Sequence, residues 1–416
     1  MESRGIKQLS VLMATVFVDM IGFTMVLPLL PFYATRLGAD APLVGMLVAS
    51  YPFAQLAVSP FWGRLSDRYG RRPLILAGLM LSAAAYVLFG LAESLWFLFA
   101  SRLVQGAGGG TTGVVQAYVA DAVEPEERTK ALGWLTAATS AGVMIGPASG
   151  SLATYLGPEG PGFMAAGLCV LNILFAWKWL PEPKKYTSPT SELAAQAGVV
   201  PAKRSLRSTF YEVLRHPTAP VSASIWVYAI GMMAFMAMNG VLGLYLKDVM
   251  GVTEKTIGYF YAYVGGISLV MRALLLGPAV RRFGEIGVTR LGALSLVIGL
   301  AGIPFTNGSL LGLALVVLFV PVGTALLFPA TTSLVSRRSS RSETGQVLGV
   351  QQSFGGVSRM LGPLWSGFAY KLDIRYPFWM AAVLMMSVSF LTLRMRREER
   401  PESKKTGDLL RSRRPS

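Results

Sequence analysis

Stretches of about twenty apolar residues, the length that crosses the hydrocarbon core of a bilayer as a helix, recur along the whole chain. They read as twelve spans: 8–33, 43–62, 74–92, 95–119, 129–153, 162–181, 220–246, 256–277, 287–306, 309–335, 345–369 and 377–394. Two of them, 129–153 and 345–369, are rich in Gly, Ser and Thr. Small residues let membrane helices approach closely, so these two are expected inside a helix bundle. The first span is too long for a signal peptide, and no small-residue cleavage site follows it.

Composition excludes the soluble alternatives. Of 416 residues 53% are hydrophobic and 14% charged, against roughly 25% charged in ordinary soluble domains. That is too little charge to wet a soluble surface, and too apolar a chain for disorder beyond short segments. One cysteine, Cys169, excludes a disulfide framework and a cysteine-rich metal centre. One histidine, His216, removes most histidine-based catalysis and ligation. No catalytic residue, metal or cofactor is expected, and without a GxxxxGK[ST] phosphate loop ATP does not drive the protein directly.

The net charge of +16 admits either nucleic acid or a membrane surface as partner. Position decides. One set of alternate loops holds Arg4 and Lys7; Arg64, Arg68, Arg71 and Arg72; Arg128 and Lys130; the run from Lys184 to Arg215; Arg281, Arg282 and Arg290; Arg337, Arg338 and Arg341; and the tail from Arg394 to Arg414. The other set holds only Arg36, Lys247, Lys255, Lys371 and Arg375. The positive-inside rule puts the rich set, and both termini, in the cytoplasm. Cations dispersed in this way are orientation signals, so nucleic acid is not a partner.

The polar segment 182–219 separates two blocks of six spans, 1–181 and 220–394. It reads as a cytoplasmic linker with an amphipathic stretch near Phe210–Leu214, and 395–416 as a basic, disordered tail. The blocks repeat. Gly63, Arg68 and Gly70 match Gly277, Arg282 and Gly284 at an offset of 214, and Gly133, Gly146 and Pro147 match Gly349, Gly362 and Pro363 at 216. General enrichment of Gly and Pro in membrane helices does not produce a shared offset. Two homologous halves about an axis along the membrane normal do. The expected fold is an all-α membrane protein of twelve transmembrane helices in two pseudo-symmetric six-helix bundles.

With this organisation, the loop Gly63-Arg64-Leu65-Ser66-Asp67-Arg68-Tyr69-Gly70-Arg71-Arg72 resembles the signature between spans two and three of the major facilitator superfamily. Arg102, Gln105 and Gly106 in span four are similar to the Arg-x-x-Gln-Gly signature of its drug:proton antiporters. Gly142, Gly146, Pro147 and Gly150 resemble the antiporter signature of span five. Asp19, followed by Leu27-Pro28, resembles the acidic motif of the twelve-helix multidrug and tetracycline efflux branch. The resemblance implies proton-coupled export of small hydrophobic compounds by alternating access, from a multi-pass protein of the cell (inner) membrane that works as a monomer. It gives Asp19 and Arg102 to proton coupling, and Gly63, Asp67, Arg68, Gly70, Arg71 and Arg72 to the cytoplasmic gate. One departure is that Arg281 stands where the first half has Asp67.

Asp19 lies about 11 residues, or about 16 Å, into span one. An ionised carboxylate is costly there unless a cation or water supports it, and a group that gains and loses a proton as access alternates is what coupling requires. A structural hydrogen bond to a neighbouring helix is the alternative. Arg102 cannot shed its charge, so it either tunes a carboxylate or clamps span four to a neighbour. Asp67 is expected to close the inner face against a helix of the second half. Arg68, Arg71 and Arg72 are expected to pair with Asp121, Glu126 or Glu127. The span-five glycines at four-residue spacing suit close packing without leak. Gln55, Gln116, Asn239, Gln352 and Arg359 are candidate cavity residues, together with Gln351, Tyr51, Tyr228 and Tyr263. Met232, Met233, Met236 and Met238 suit a wall that repacks around varied ligands, or plain core filling.

Arg359 lies near mid-depth in span eleven, Arg272 lies in the cytoplasmic third of span eight, from where it can snorkel, and no acidic residue lies within spans seven to twelve. Arg359 either faces the cavity or caps helix ends near the inner gate. These arginines, with Arg102, motivate a second reading, a carrier of organic anions or metabolites. A non-transporting membrane sensor is a third and poorer one, because it leaves the gate motif idle.

Overall fold

The computed structural model describes residues 3–124, 127–183, 206–340 and 343–395, and all regular structure among them is helical. Helix α1 (Ser3–Val26) passes through a 3-10 turn into α2 (Leu30–Arg36), where Pro28 and Pro31 lack the N–H that would continue an α-helix. Then come α3 (Ala41–Tyr69), α4 (Arg71–Gly90), α5 (Leu95–Gly109), α6 (Thr112–Ala122), α7 (Arg128–Ala153) and α8 (Gly160–Trp179). After α9 (Leu206–Arg215) follow α10 (Pro220–Met250), α11 (Ile257–Val270), α12 (Leu276–Gly302), α13 (Leu310–Val317), α14 (Phe319–Arg338), α15 (Thr344–Leu372) and α16 (Tyr376–Arg394). A π-turn, Met271–Leu275, joins α11 to α12.

Eight stretches of the described residues are long and apolar enough to cross a membrane. The difference from twelve has local causes. One stretch, Ile257–Thr306, contains two of the expected spans, because Gly284 (φ 69°, ψ 171°) turns the chain inside α12. The expected fourth span is broken at Gly110–Thr111 into α5 and α6. Helices α7 and α15 carry the small polar residues already noted, which lower their hydropathy.

Helix ends follow their sequence. The Asp40 carboxylate accepts the Leu43 N–H at 3.2 Å and caps α3, with Pro42 in the first turn. Gly251, at φ 64°, ends α10 by giving its N–H to the Leu246 carbonyl. Gly70 (φ 98°, ψ 164°) separates α3 from α4. Its repeat partner Gly284 adopts the same unusual backbone, so the offset seen in sequence is also a repeat of conformation.

Packing repeats as well. Helix α1 packs on α7 as α10 packs on α15, α4 on α8 as α12 on α16, and α3 meets α15 as α7 meets α11. Glycines set the close approaches. A methyl group at Gly142 would lie 2.6 Å from the Phe17 carbonyl oxygen, and one at Gly146 2.7 Å from that of Ile21. In the second half, one at Gly362 would lie 2.7 Å from the Met233 oxygen on α10. Large apolar side chains point outward instead, among them Leu171, Leu174 and Trp177 on α8 and Val383, Phe390 and Leu393 on α16. Lipid, not water, is the medium that suits such a surface.

The amphipathic stretch of the linker forms α9. Phe210 stacks on Phe354 with ring centres 4.9 Å apart, and Gln346 donates to Thr209 at 2.7 Å. The rest of the linker, 184–205, Glu126, and the tail from 396 onward lie outside the described residues.

Candidate functional site

A cavity of about 480 Å³ lies between α1 and α7 on one side and α10, α11, α14 and α15 on the other. Its wall is mostly apolar and aromatic, including Phe23, Phe235, Phe260 and Phe328. Met232, Met236 and Met238 line it, so three of the four methionines noted in the seventh span face ligand space. Of the candidate polar residues, Asn239 and Arg359 line the cavity. Gln55 does not, since its amide donates to the Gly109 carbonyl at 3.0 Å. Gln116 and Gln352 are exposed away from it, and Gln351 is buried. A helical residue's face is set by its helix's neighbours, which a list of polar residues in spans does not contain. Arg359 does not cap a helix end: it stands on the cavity wall with Arg272, and these are the only charged residues there among those described.

Asp19 is not part of that wall. It sits on α1 within electrostatic reach of Tyr51 and Tyr86. Among the described residues it has no hydrogen-bond or ion-pair partner, so the structural bond offered as an alternative is not made. Arg102 is fully buried on α5. Its guanidinium donates to Gln105 and lies over the Tyr51 ring, 4.9 Å from the centre, and near the Phe23 ring at 5.9 Å. No carboxylate among the described residues pairs with it, and its Nε has no partner. The motif glycine Gly106 brings α5 onto α3: a methyl group there would lie 2.9 Å from the Ala54 methyl. The first-half motifs thus converge on one cluster, with Tyr86, Arg102 and Gln105 buried and Asp19 and Tyr51 half-buried.

The loop 63–72 works within the first half. Asp67, two-thirds exposed, pairs with Arg71 at 2.7 Å, and Arg71 also pairs with Asp121 at 2.9 Å. The Arg72 guanidinium donates to the Trp177 carbonyl, and Arg68 lies over the Tyr69 ring at 5.4 Å. Asp67 therefore does not bond a second-half helix here, because its carboxylate is taken by its own helix neighbourhood. Glu182, which the sequence reading passed over, caps α4: its carboxylate accepts the N–H groups of Arg71 and Arg72 at 2.5 and 2.9 Å. A methyl group at Gly70 would lie 2.7 Å from that carboxylate, so the position needs glycine for space as well as for its φ.

At the cation-poor end the two halves are fastened together. Arg36 donates to both carboxylate oxygens of Glu254, at 2.6 and 2.7 Å. Lys371 pairs with Asp40 at 2.9 Å, Lys247 donates to Thr35 at 2.7 Å, and Lys255 lies over the Tyr155 ring at 5.0 Å. Ser151 on α7 gives its hydroxyl to the Glu254 carbonyl at 2.9 Å and accepts the Gly258 N–H at 2.8 Å. The sequence signal was present: four of the five cations on that face are spent on contacts between halves. At the cation-rich end, the pairs Arg71–Asp121 and Arg337–Glu285 each stay within one half.

A fold of repeated helical halves around an apolar cavity, with these motifs, defines a membrane transporter. The profile of the Major Facilitator Superfamily matches residues 12–362 and 313–415, and the chain belongs to that family as a multi-pass membrane protein. It is similar to Multidrug resistance protein 2 of Bacillus subtilis, at 28% identity over 92% of this chain and 94% of that one. It is also similar to the class B Tetracycline resistance protein of Escherichia coli, at 26% identity over 89% and 90%. Among solved structures, the human organic anion transporter MFSD10 (TETRAN) superposes with a TM-score of 0.67 at 23% identity, covering 93% of this chain and 99% of that chain. That last likeness concerns the fold alone.

Proposed function

We propose that the chain is a proton-coupled exporter of small hydrophobic compounds, working by alternating access in the bacterial inner membrane. In this reading the chain crosses the bilayer twelve times as two six-helix bundles, 1–181 and 220–394, with both termini in the cytoplasm. The broken α5–α6 pair, the glycine-rich α7 and α15, and the turn at Gly284 account for the crossings that hydropathy alone does not count. The observation that carries the reading is the cavity between two repeats whose halves are bound to each other at the cation-poor end. By the positive-inside rule that end is external, so the conformation is closed to the outside. The drug-resistance names of the relatives, which export explains most simply, support the direction.

The two halves rock about the cavity. Fastening at the outer end gives way while Asp67 and the loop 63–72 engage the second half at the inner end. Asp19, with no ion-pair partner among the described residues, takes a proton on one side and releases it on the other; Arg102, Gln105 and Tyr51 fix its surroundings. Separation of the proton site from the cavity wall lets the bound compound and the proton compete through conformation rather than contact.

Everted membrane vesicles carrying the chain test this. Respiration-driven uptake of a hydrophobic dye that stops on adding a protonophore is expected. Uptake indifferent to the gradient contradicts the coupling.

A further inference from the structure

We propose that the cavity selects aromatic organic anions, with Arg272 and Arg359 together holding the carboxylate. The proposal deepens the exporter reading and rests on this cavity being the transported compound's site.

Both arginines stand on the wall of one cavity but come from different elements, Arg359 from α15 and Arg272 from the π-turn between α11 and α12. Among the described residues neither has an ion-pair or hydrogen-bond partner, and no acidic residue lines the cavity. Arg272 is exposed and Arg359 half-buried; a cation half-buried against an apolar wall is costly to leave uncompensated. An anionic ligand supplies the missing charge at the moment of binding, and the guanidinium fork fits a carboxylate with two parallel hydrogen bonds.

Local geometry serves the same end. Arg359 lies beside Gly355 and Gly356, where methyl groups would approach its guanidinium nitrogens at 3.6 and 3.9 Å. Those are ordinary contact distances; what Gly355 spares is the Tyr228 ring, 2.7 Å from a methyl group there. The π-turn shifts the helical register at Arg272, a distortion frequent at functional sites. The rest of the wall suits an aromatic body: rings at Phe23, Phe235, Phe260 and Phe328, and methionines that repack around varied shapes. The volume, about 480 Å³, falls in the range of small-molecule sites. A lipophilic cation, by contrast, meets two positive charges and no carboxylate.

The test is binding of three probes with one aromatic body to the purified full chain in detergent: 2-naphthylacetate, 2-naphthylacetamide and 2-naphthylethylammonium. The acid is expected to bind at least ~10-fold more tightly than the ammonium probe, with the amide between. Arg359→Gln and Arg272→Gln are each expected to reduce affinity for the acid ~10-fold while leaving the amide unchanged. Arg359→Lys keeps the preference for the acid over the ammonium probe, which separates charge from folding. Equal or tighter binding of the ammonium probe, undetectable binding of the acid, or equal loss of acid and amide in the Gln variants overturns the proposal. Binding needs no gradient, so the two readings fail separately. Gradient-driven export without acid preference sinks only the anion site, and acid preference without gradient-driven export sinks only the coupling.

Discussion

Removing the outer fastenings should shift the protein toward its outward-open state. The substitutions are Arg36→Ala and Lys371→Ala combined. Lys371 is chosen over its partner because Asp40 also caps α3. In the Arg36–Glu254 pair one nitrogen, Nη2, reaches both carboxylate oxygens, with side chains 44% and 25% exposed, and Lys371–Asp40 is more open at 63% and 46%. Exposed pairs contribute ~0.2–1 kcal/mol each. The less exposed pair falls at the upper end and the open one at the lower, so their joint loss is worth about 1–1.5 kcal/mol. At about 1.4 kcal/mol per tenfold change, the ratio of outward-open to inward-open molecules rises about 5- to 12-fold. Spin labels at Glu93→Cys and Leu310→Cys, both exposed at the outer ends of opposite halves, report it by pulsed dipolar spectroscopy in a Cys169→Ala background. The longer outer distance should grow at the expense of the shorter one, and high salt should move the parent chain the same way by screening. An unchanged distance distribution in the double variant refutes the claim that these pairs hold the outer end.

Other consequences are local. Gly146→Val forces a branched side chain against α1 and should destabilise the chain by about 1–3 kcal/mol, read as a lower unfolding temperature in detergent. Glu182→Gln removes a charged cap from α4 at two N–H groups and should cost about 1 kcal/mol in the same assay; an unchanged midpoint contradicts the cap. The hydrogen bond from Lys371 and that from the Leu43 N–H hold the Asp40 carboxyl below its ordinary range. A depressed carboxylate contributes above its unfolded value and loses that contribution as pH falls through the folded one. The Lys371–Asp40 pair should therefore be insensitive to external pH between 5 and 8 and weaken only below the usual carboxylate range. Outer-distance measurements across that interval check this.

Much of this protein was readable before any coordinates because a bilayer writes its demands along the chain. Apolar length and the alternation of cations are local properties, and so is the repeat that gives Gly70 and Gly284 one backbone conformation. Motif residues such as Arg102, Gln105 and Gly106 stand out along the chain, but that Arg102 lies over Tyr51, within reach of Asp19, is not written there. Partners across the fold were not. Glu254 reaches Arg36 over 218 residues and Glu182 reaches Arg71 over 111, and neither has a spacing that announces it. Gln116 and Gln352 failed as cavity residues for the same reason. Polarity within a span says that a side chain needs a partner or water, while the face it occupies depends on which helices pack beside it. Asp67 shows a different limit. In this structure Arg71 holds its carboxylate, and a contact reserved for a second conformation is not written in residue types.

The coupling claim rests on the carboxyl of Asp19 on α1, which has no ion-pair partner among the described residues. Its most direct test is export by the Asp19→Asn chain, reconstituted in liposomes at matched density, with an imposed pH gradient and then with none. The account predicts that the variant inserts and binds compound as the parent does but loses all acceleration by the gradient. Transport by Asp19→Asn that still rises with the gradient as the parent's does would contradict it.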